Sequence, residues 1–165
     1  MRIIAIDPGK HGHIVELNSG TRLARTMPIP FRPDGIVCYR TVRTKFDLAS
    51  CDLIALEKIS SDPKWAHNAC LSFGRTIGQL QMMISAYSFT EIAPRTWQGA
   101  FHKGMPEGMN PKSKSLAAFC RIAPSYPTKP RPNEDMVDAF LLGCYVLSTF
   151  GINPYGRWNF EHNKP

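Results

Sequence analysis

Four acidic residues, Asp7, Glu57, Asp135 and Asp138, stand where packing alone would not place them. Asp7 ends the run Arg2-Ile3-Ile4-Ala5-Ile6, and Glu57 ends Asp52-Leu53-Ile54-Ala55-Leu56. Short apolar runs of this kind read as strands covered on both faces at the centre of a sheet. Their terminal carboxylates are therefore expected to be neighbours. Asp135 and Asp138 lie three residues apart, on one face of a helix whose Val137, Phe140, Leu141 and Cys144 supply apolar packing. Crowded like charges raise one another's pKa, and such a cluster is stable chiefly when a divalent cation neutralises it. An all-oxygen ligand set suits magnesium, with manganese as a substitute. Two such ions about 4 Å apart can activate water and stabilise the leaving oxygen of a phosphodiester.

Each acid also has an ordinary reading. Asp7-Pro8-Gly9 is a turn sequence, and Asp135 beside Glu134 satisfies the preference for acids in the first turn of a helix. Asp138 is harder to explain this way, because aspartate is a poor helix former and its neighbours are apolar. The set carries the reading where no single member does. His11, His13, His67 and His102 form no metal-ligand spacing and read as surface or packing residues. Trp65 could stack on a base or serve as a buried anchor.

The elements that must position these acids are legible in outline. Arg2–Ile6, Ile14–Leu17 and Thr21–Met27 read as three antiparallel strands, with Asn18-Ser19-Gly20 as a hairpin turn. A loop over Pro28–Pro33 and a weakly patterned helix over Ile36–Leu48 precede the strand that ends at Glu57. Asp62 and Pro63 mark the start of a long helix running to about Tyr87, with Phe73, Ile77, Leu80 and Ile84 on its apolar face. Phe89–Ala93 is one more strand. Residues 98–111 read as a mobile loop, Lys112–Arg121 as a helix, 124–132 as a proline-rich connector, and Asn133–Leu147 as the last helix. The fold class is α/β: a mixed five-stranded sheet, three antiparallel strands then two parallel, flanked by helices. Residues 1–150 form the expected domain, and 151–165 an irregular tail.

At 165 residues the chain is large enough for one ordinary core and too short for two catalytic lobes. No apolar stretch has the length of a membrane span, and the start does not pattern as a signal peptide, so a cytoplasmic location is expected. The five cysteines are widely spaced with no C-x-x-C pair, which argues for reduced, packed thiols. The net charge of +7 is concentrated. Residues 22–45 carry six Lys or Arg against Asp34 alone, or +5, and residues 95–131 carry seven against Glu107 alone, or +6. Two basic stretches point to a polyanionic partner such as nucleic acid.

The order I-I-A-I-D-P-G at 3–9, L-I-A-L-E at 53–57, P-K-S-K-S at 111–115 and E-D-M-V-D-A-F-L-L-G at 134–143 resembles the RuvC family of Holliday junction resolvases. The resemblance runs from Met1 to about Leu147 and keeps all four acidic positions. It implies an RNase H-like fold and a nuclease of DNA recombination and repair, in which Asp7, Glu57, Asp135 and Asp138 bind two magnesium ions. It also implies a catalytic lysine near the scissile phosphate at Lys114, and a supporting basic position at Arg95. Lys103, Lys112 and Trp65 complete the expected DNA contacts. The implied assembly is a homodimer that nicks a four-way junction symmetrically. The turn after Asp7 is shorter than in bacterial members, and Ser60 or Ser61 stands where those place an aromatic wedge. This compactness resembles a phage or viral branch.

Three other functions compete with this reading. Another RNase H-like nuclease, cutting flaps, forks or RNA–DNA hybrids, would use the same carboxylates. An ATPase of the actin and sugar-kinase kind would need a second lobe, for which the chain lacks length. A non-catalytic basic DNA-binding module gives no reason for an acidic helix face at 135 and 138.

Overall fold

The alternation of side chains along the first strand decides which side of the sheet each helix occupies. The computed structural model describes residues 1–9, 11–59, 66–127, 129 and 131–162. Within them, β1 (Arg2–Asp7), β2 (His13–Asn18) and β3 (Leu23–Pro28) form an antiparallel meander. β4 (Leu53–Glu57) lies parallel to β1, and β5 (Phe89–Ile92) lies parallel to β4. The period of two along a strand sends Ile3 and Ala5 to one face and Ile4 and Ile6 to the other. Ile3, Ala5, Val15, Leu17, Ala24 and Ala55 pack with α5 (Glu134–Thr149) and with Phe119 of α4 (Pro111–Ile122). Ile4, Ile6, Ile14, Ile54 and Leu56 pack with Val42 of α1 (Tyr39–Lys45) and with Leu80, Met83 and Ile84 of α2 (His67–Ile84). The sheet is therefore covered on both faces, as its apolar central strands require.

α5 is the best seated of the helices, and its sequence explains why. Asn133 accepts from the backbone N–H groups of Asp135 at 2.9 Å and Met136 at 3.0 Å, a cap worth about 1 kcal/mol. Residues 136–144 are buried without interruption. A β-carbon at Gly143 would stand 2.8 Å from Leu17 and 3.3 Å from Ala5, so the missing side chain is what lets α5 lie close against β1 and β2. Three residues earlier on the helix, Phe140 meets Phe119, Trp158 and Phe160 at ring separations of 5.1, 5.6 and 5.5 Å. Such contacts add roughly 0.5–1.5 kcal/mol each beyond area burial.

Several expected elements differ in extent. The sheet has six strands in the order β5-β4-β1-β2-β3-β6, not five, because β6 (Asn159–His162) lies parallel to β3. The segment after Gly151 is irregular only as far as Trp158, and a strand follows. Trp158 is buried, with its indole N–H donating to the Pro154 carbonyl at 2.8 Å, and this anchor sets the strand in register. The helix expected over 36–48 is limited to Tyr39–Lys45. The Asp34 carboxylate takes the Ile36 N–H, and Val37 bridges Phe31, so the backbone there is already committed. The expected loop at 98–111 begins inside α3 (Pro94–His102), which Pro94 starts and which buries Trp97. The proposed start of α2 at Asp62 and Pro63 lies outside the described residues, as do Ser60, Ser61 and Trp65.

The turn that follows Asp7 is tight. Gly12 donates to the Gly9 carbonyl at 2.8 Å and accepts from Ile29 at 2.7 Å. A β-carbon at Gly12 would stand 2.3 Å from the Asp7 carbonyl oxygen and 2.8 Å from that of Gly9, so the backbone would have to move. Gly12→Ala is expected to lower unfolding stability by about 1–3 kcal/mol, seen as a lower urea midpoint at unchanged m value. Gly99→Ala, on α3 with open space around it, should instead raise stability by about 0.5–1 kcal/mol. A wild-type midpoint for Gly12→Ala would contradict the packing described.

Candidate active site

Parallel pairing of β1 with β4 places Ile6 opposite Leu56, so the next residues, Asp7 and Glu57, emerge side by side from the ends of adjacent strands. Each lies two residues beyond an alanine, Ala5 and Ala55, that faces α5. Period two therefore points both carboxylates toward that helix. α5 begins over the same strand ends, and its first two turns supply Asp135 and Asp138. The four acids named from the sequence are thus gathered at one end of the sheet, brought together by strand register and helix docking.

The electrostatics of the cluster follow from burial and mutual repulsion. Asp7 is 6% exposed and is pushed up to about 8, by burial first and then by the charge of Glu57, with Asp138 and Asp135 adding to it. Its one relieving contact is the Gly9 N–H, which donates to Oδ1 at 3.0 Å. Glu57 is also raised, again mainly by burial and by Asp138 and Asp135. Against this, the indole N–H of buried Trp97 donates to its Oε1 at 2.9 Å, and Lys112 helps. Asp138, buried on α5, places Oδ2 at 2.6 Å from Lys112 Nζ, while its Oδ1 is buried with no hydrogen-bond partner among the described residues. Asp135 Oδ1 lies 3.3 Å from the same ammonium. Burial opposes the charge on Lys112, but the hydrogen bond and charge of Asp138, joined by Asp135, outweigh it and raise the lysine's pKa.

The residues fit a hard divalent cation. The donors are all carboxylate oxygens, Asp138 Oδ1 is an unused buried acceptor, and Asp7 carries a penalty that a cation would remove. Among the described residues no three His, Cys, Asp or Glu groups close into a coordination cage as they stand. Lys112 is the cation that bridges two of the four.

The other predicted residues are distributed around this centre. Lys114 is half-buried on α4, near enough to His102 for its charge to lower that ring's pKa, although burial is the larger cause. Arg95 is exposed in the first turn of α3, and Lys103 is exposed just after its end. His102 contacts the Ser115 hydroxyl at 3.2 Å and lies edge-on to Trp97, so it buttresses the site from behind. His13 is buried with Nδ1 on the His11 carbonyl, and His67 is exposed at the start of α2. The basic stretch at 22–45 is partly structural: Arg22 covers the Trp158 ring, Arg25 pairs with Glu16 and Glu161, and Arg32 pairs with Asp34.

Sequence reasoning missed Trp97 as a site residue and placed Lys112 among the DNA contacts. Trp97 was signalled by Pro94 as a helix start, with Trp97 and Phe101 four apart on one face. Lys112 was assigned only to phosphate contact, yet it is three residues before buried Ser115, in line with Phe119 and Ile122 on the face of α4 that meets α5. Lys114 falls off that stripe.

No protein-family model matches this sequence, and no curated protein sequence matches it either. Solved structures do. The chain is similar to Thermus thermophilus RuvC in complex with a Holliday junction substrate, at 16% identity and a TM-score of 0.63, covering 92% of this chain and 94% of that one. It is also similar to the fowlpox virus resolvase in complex with Holliday junction DNA, at 14% identity and 0.53, covering 91% and 99%. The yeast mitochondrial Holliday junction resolvase matches at 12% identity and 0.57, covering 87% and 76%. The fold is that of the RuvC-like resolvases. Among the described residues, no helix is long and apolar enough to cross a membrane.

The sign of the pH dependence follows from the raised acids. The folded-state pKa of Asp7, about 8, lies above the ordinary aspartate value of 3.8. The folded state therefore holds a proton that the unfolded state has released, and stability falls as pH rises from about 4 through about 8. Glu57 acts in the same direction, whereas Lys112, raised from 10.5, contributes only above this window. In EDTA, the thermal midpoint of the wild type should drop between pH 5.5 and pH 8.5 by an amount corresponding to a few kcal/mol. Asp7→Asn should flatten much of that drop, and equal slopes for the two proteins would refute the assignment.

Proposed function

We propose that this protein is a magnesium-dependent endonuclease that nicks branched DNA, with the four-way junction as its substrate. The observation that carries the reading is the convergence of Asp7, Glu57, Asp135 and Asp138 at one end of the sheet, with Asp138 Oδ1 buried and unpartnered. It is supported by the likeness to resolvases solved with Holliday junction DNA. The four carboxylates would hold two magnesium ions, or manganese in their place. When bound, such ions supply an activated water and stabilise the leaving oxygen of the phosphodiester.

The chain's own residues do the rest. The ends of β1 and β4 fix two carboxylates on rigid backbone, and the Trp97 indole N–H donates to Glu57, partly offsetting the burial that raises its pKa and holding it in one orientation. Lys114 on α4 and Arg95 on α3 would supply cations that oppose the negative charge growing on the reacting phosphate. Removing a well-placed donor of this kind costs roughly 3–4 kcal/mol in other enzymes. Lys103 and Lys112 extend the basic surface that holds the DNA backbone, and Trp65 would stack on an unpaired base.

A symmetric homodimer would present two such sites to a two-fold junction. The reading is supported by α2, on which Leu71 is 65% and Met82 is 75% exposed. Light scattering is expected to give twice the 18.5 kDa mass of one chain. A single-chain mass both free and bound to DNA would exclude it.

Cleavage assays on four-way, three-way, flap, duplex and RNA–DNA hybrid substrates separate this function from that of a general RNase H-like nuclease. Asp7→Asn and Glu57→Gln are expected to abolish nicking while leaving junction binding largely intact, because binding rests on cations that contact phosphate. Lys114→Ala should slow single-turnover nicking far more than it weakens binding. Full cleavage by either acid variant, or undiminished cleavage in excess EDTA, would reject the metal-dependent reading.

A further inference from the structure

We infer that Lys112 is the resident counter-cation of the carboxylate cluster, and that it leaves Asp135 and Asp138 when a divalent cation binds there. Its ammonium then becomes available to the DNA backbone only in the metal-loaded protein. The inference rests on the nuclease reading above and assigns it an order of events.

The geometry is specific. Lys112 Nζ stands 2.6 Å from Asp138 Oδ2 and 3.3 Å from Asp135 Oδ1, bridging two carboxylates of one helix from another. Its backbone is fixed: Pro111 is the first residue of α4, Asn110 Oδ1 caps it by accepting from Ser113 at 2.8 Å, and α4 packs along α5. A divalent ion at about 2.0–2.1 Å from those same carboxylate oxygens would need the volume that the ammonium fills. Two cations cannot share it. Asp138 Oδ1, buried on a residue only 7% exposed, is the acceptor that Lys112 leaves unused. One lysine against four carboxylates thus leaves capacity for further positive charge.

The lysine has a way out. Its side chain is 45% exposed, and a four-carbon stem with rotatable bonds can swing the ammonium to solvent without moving α4. Lys114, two residues on, is rotated by about 200° around the helix and cannot substitute at the acids.

The test needs no cleavage. Lysine reactivity toward an amine-acylating reagent is read by mass spectrometry on the intact protein, in EDTA and in saturating manganese. Manganese affinity is read by calorimetry for the wild type, Lys112→Met and Lys112→Arg. Lys112 should be protected in EDTA and react several-fold faster with manganese, while exposed Lys103 is unchanged. Lys112→Met should bind manganese about tenfold more tightly, reflecting loss of a competing charge-assisted hydrogen bond, and Lys112→Arg should return toward wild type. Manganese binding with no change in Lys112 reactivity would overturn the inference and leave the metal site standing. No manganese binding to the wild type or to Lys112→Met would overturn both the inference and the nuclease reading. If Lys112→Met does not fold, the acylation result on the wild type decides alone.

Discussion

The close seating of α5 on β1 and β2 is the constraint from which the rest of the molecule follows. A helix held a β-carbon's distance further away would still cover the apolar strands, but it would carry Asp135 and Asp138 away from Asp7 and Glu57. Gly143 permits the approach, and Phe119, Trp158 and Phe160 pack against Phe140 of the helix. Burial of this kind is worth several kcal/mol. It offsets the opposing cost of bringing four carboxylates together in a partly dry environment. The chemistry of the site is therefore bound up with its packing.

The supporting shell shows how that cost is managed. Trp97 contributes a hydrogen bond to Glu57, Gly9 one to Asp7, and Lys112 two ion pairs to α5. None fully relieves the cluster, since Asp7 remains far above an ordinary aspartate and Asp138 Oδ1 is orphaned. Residual frustration of this sort marks places where function, and not stability, has the final claim on a residue.

Much of this was legible in the chain itself. Asp7 and Glu57 could be paired before any coordinates, because two apolar runs of similar length both end on an acid, and parallel neighbours in register must then present those acids together. Asp138 could be singled out because nothing about helix propensity explains it. Other features were not legible. β6 is four residues with little hydrophobic alternation, and its place depends on Trp158, whose ring contacts with Phe140 and Arg22 are remote in sequence. α3 was hidden because Gly99 and the glycine-rich stretch behind it dominated the local pattern. The choice between Lys112 and Lys114 depended on which face of α4 meets α5, a tertiary fact that only the stripe at 115, 119 and 122 foreshadows.

The pairing of β6 with β3 has a kinetic side. Arg25 and Glu161 meet across 136 residues of chain, and β1 meets β4 across about 50. Contacts of such long sequence separation require large loops to close before any stabilisation is gained, which slows folding relative to helical bundles of the same size. Because the acids come from β1, β4 and α5, no early, locally folded fragment can assemble them. The four carboxylates therefore come together only once β1, β4 and α5 have all found their places.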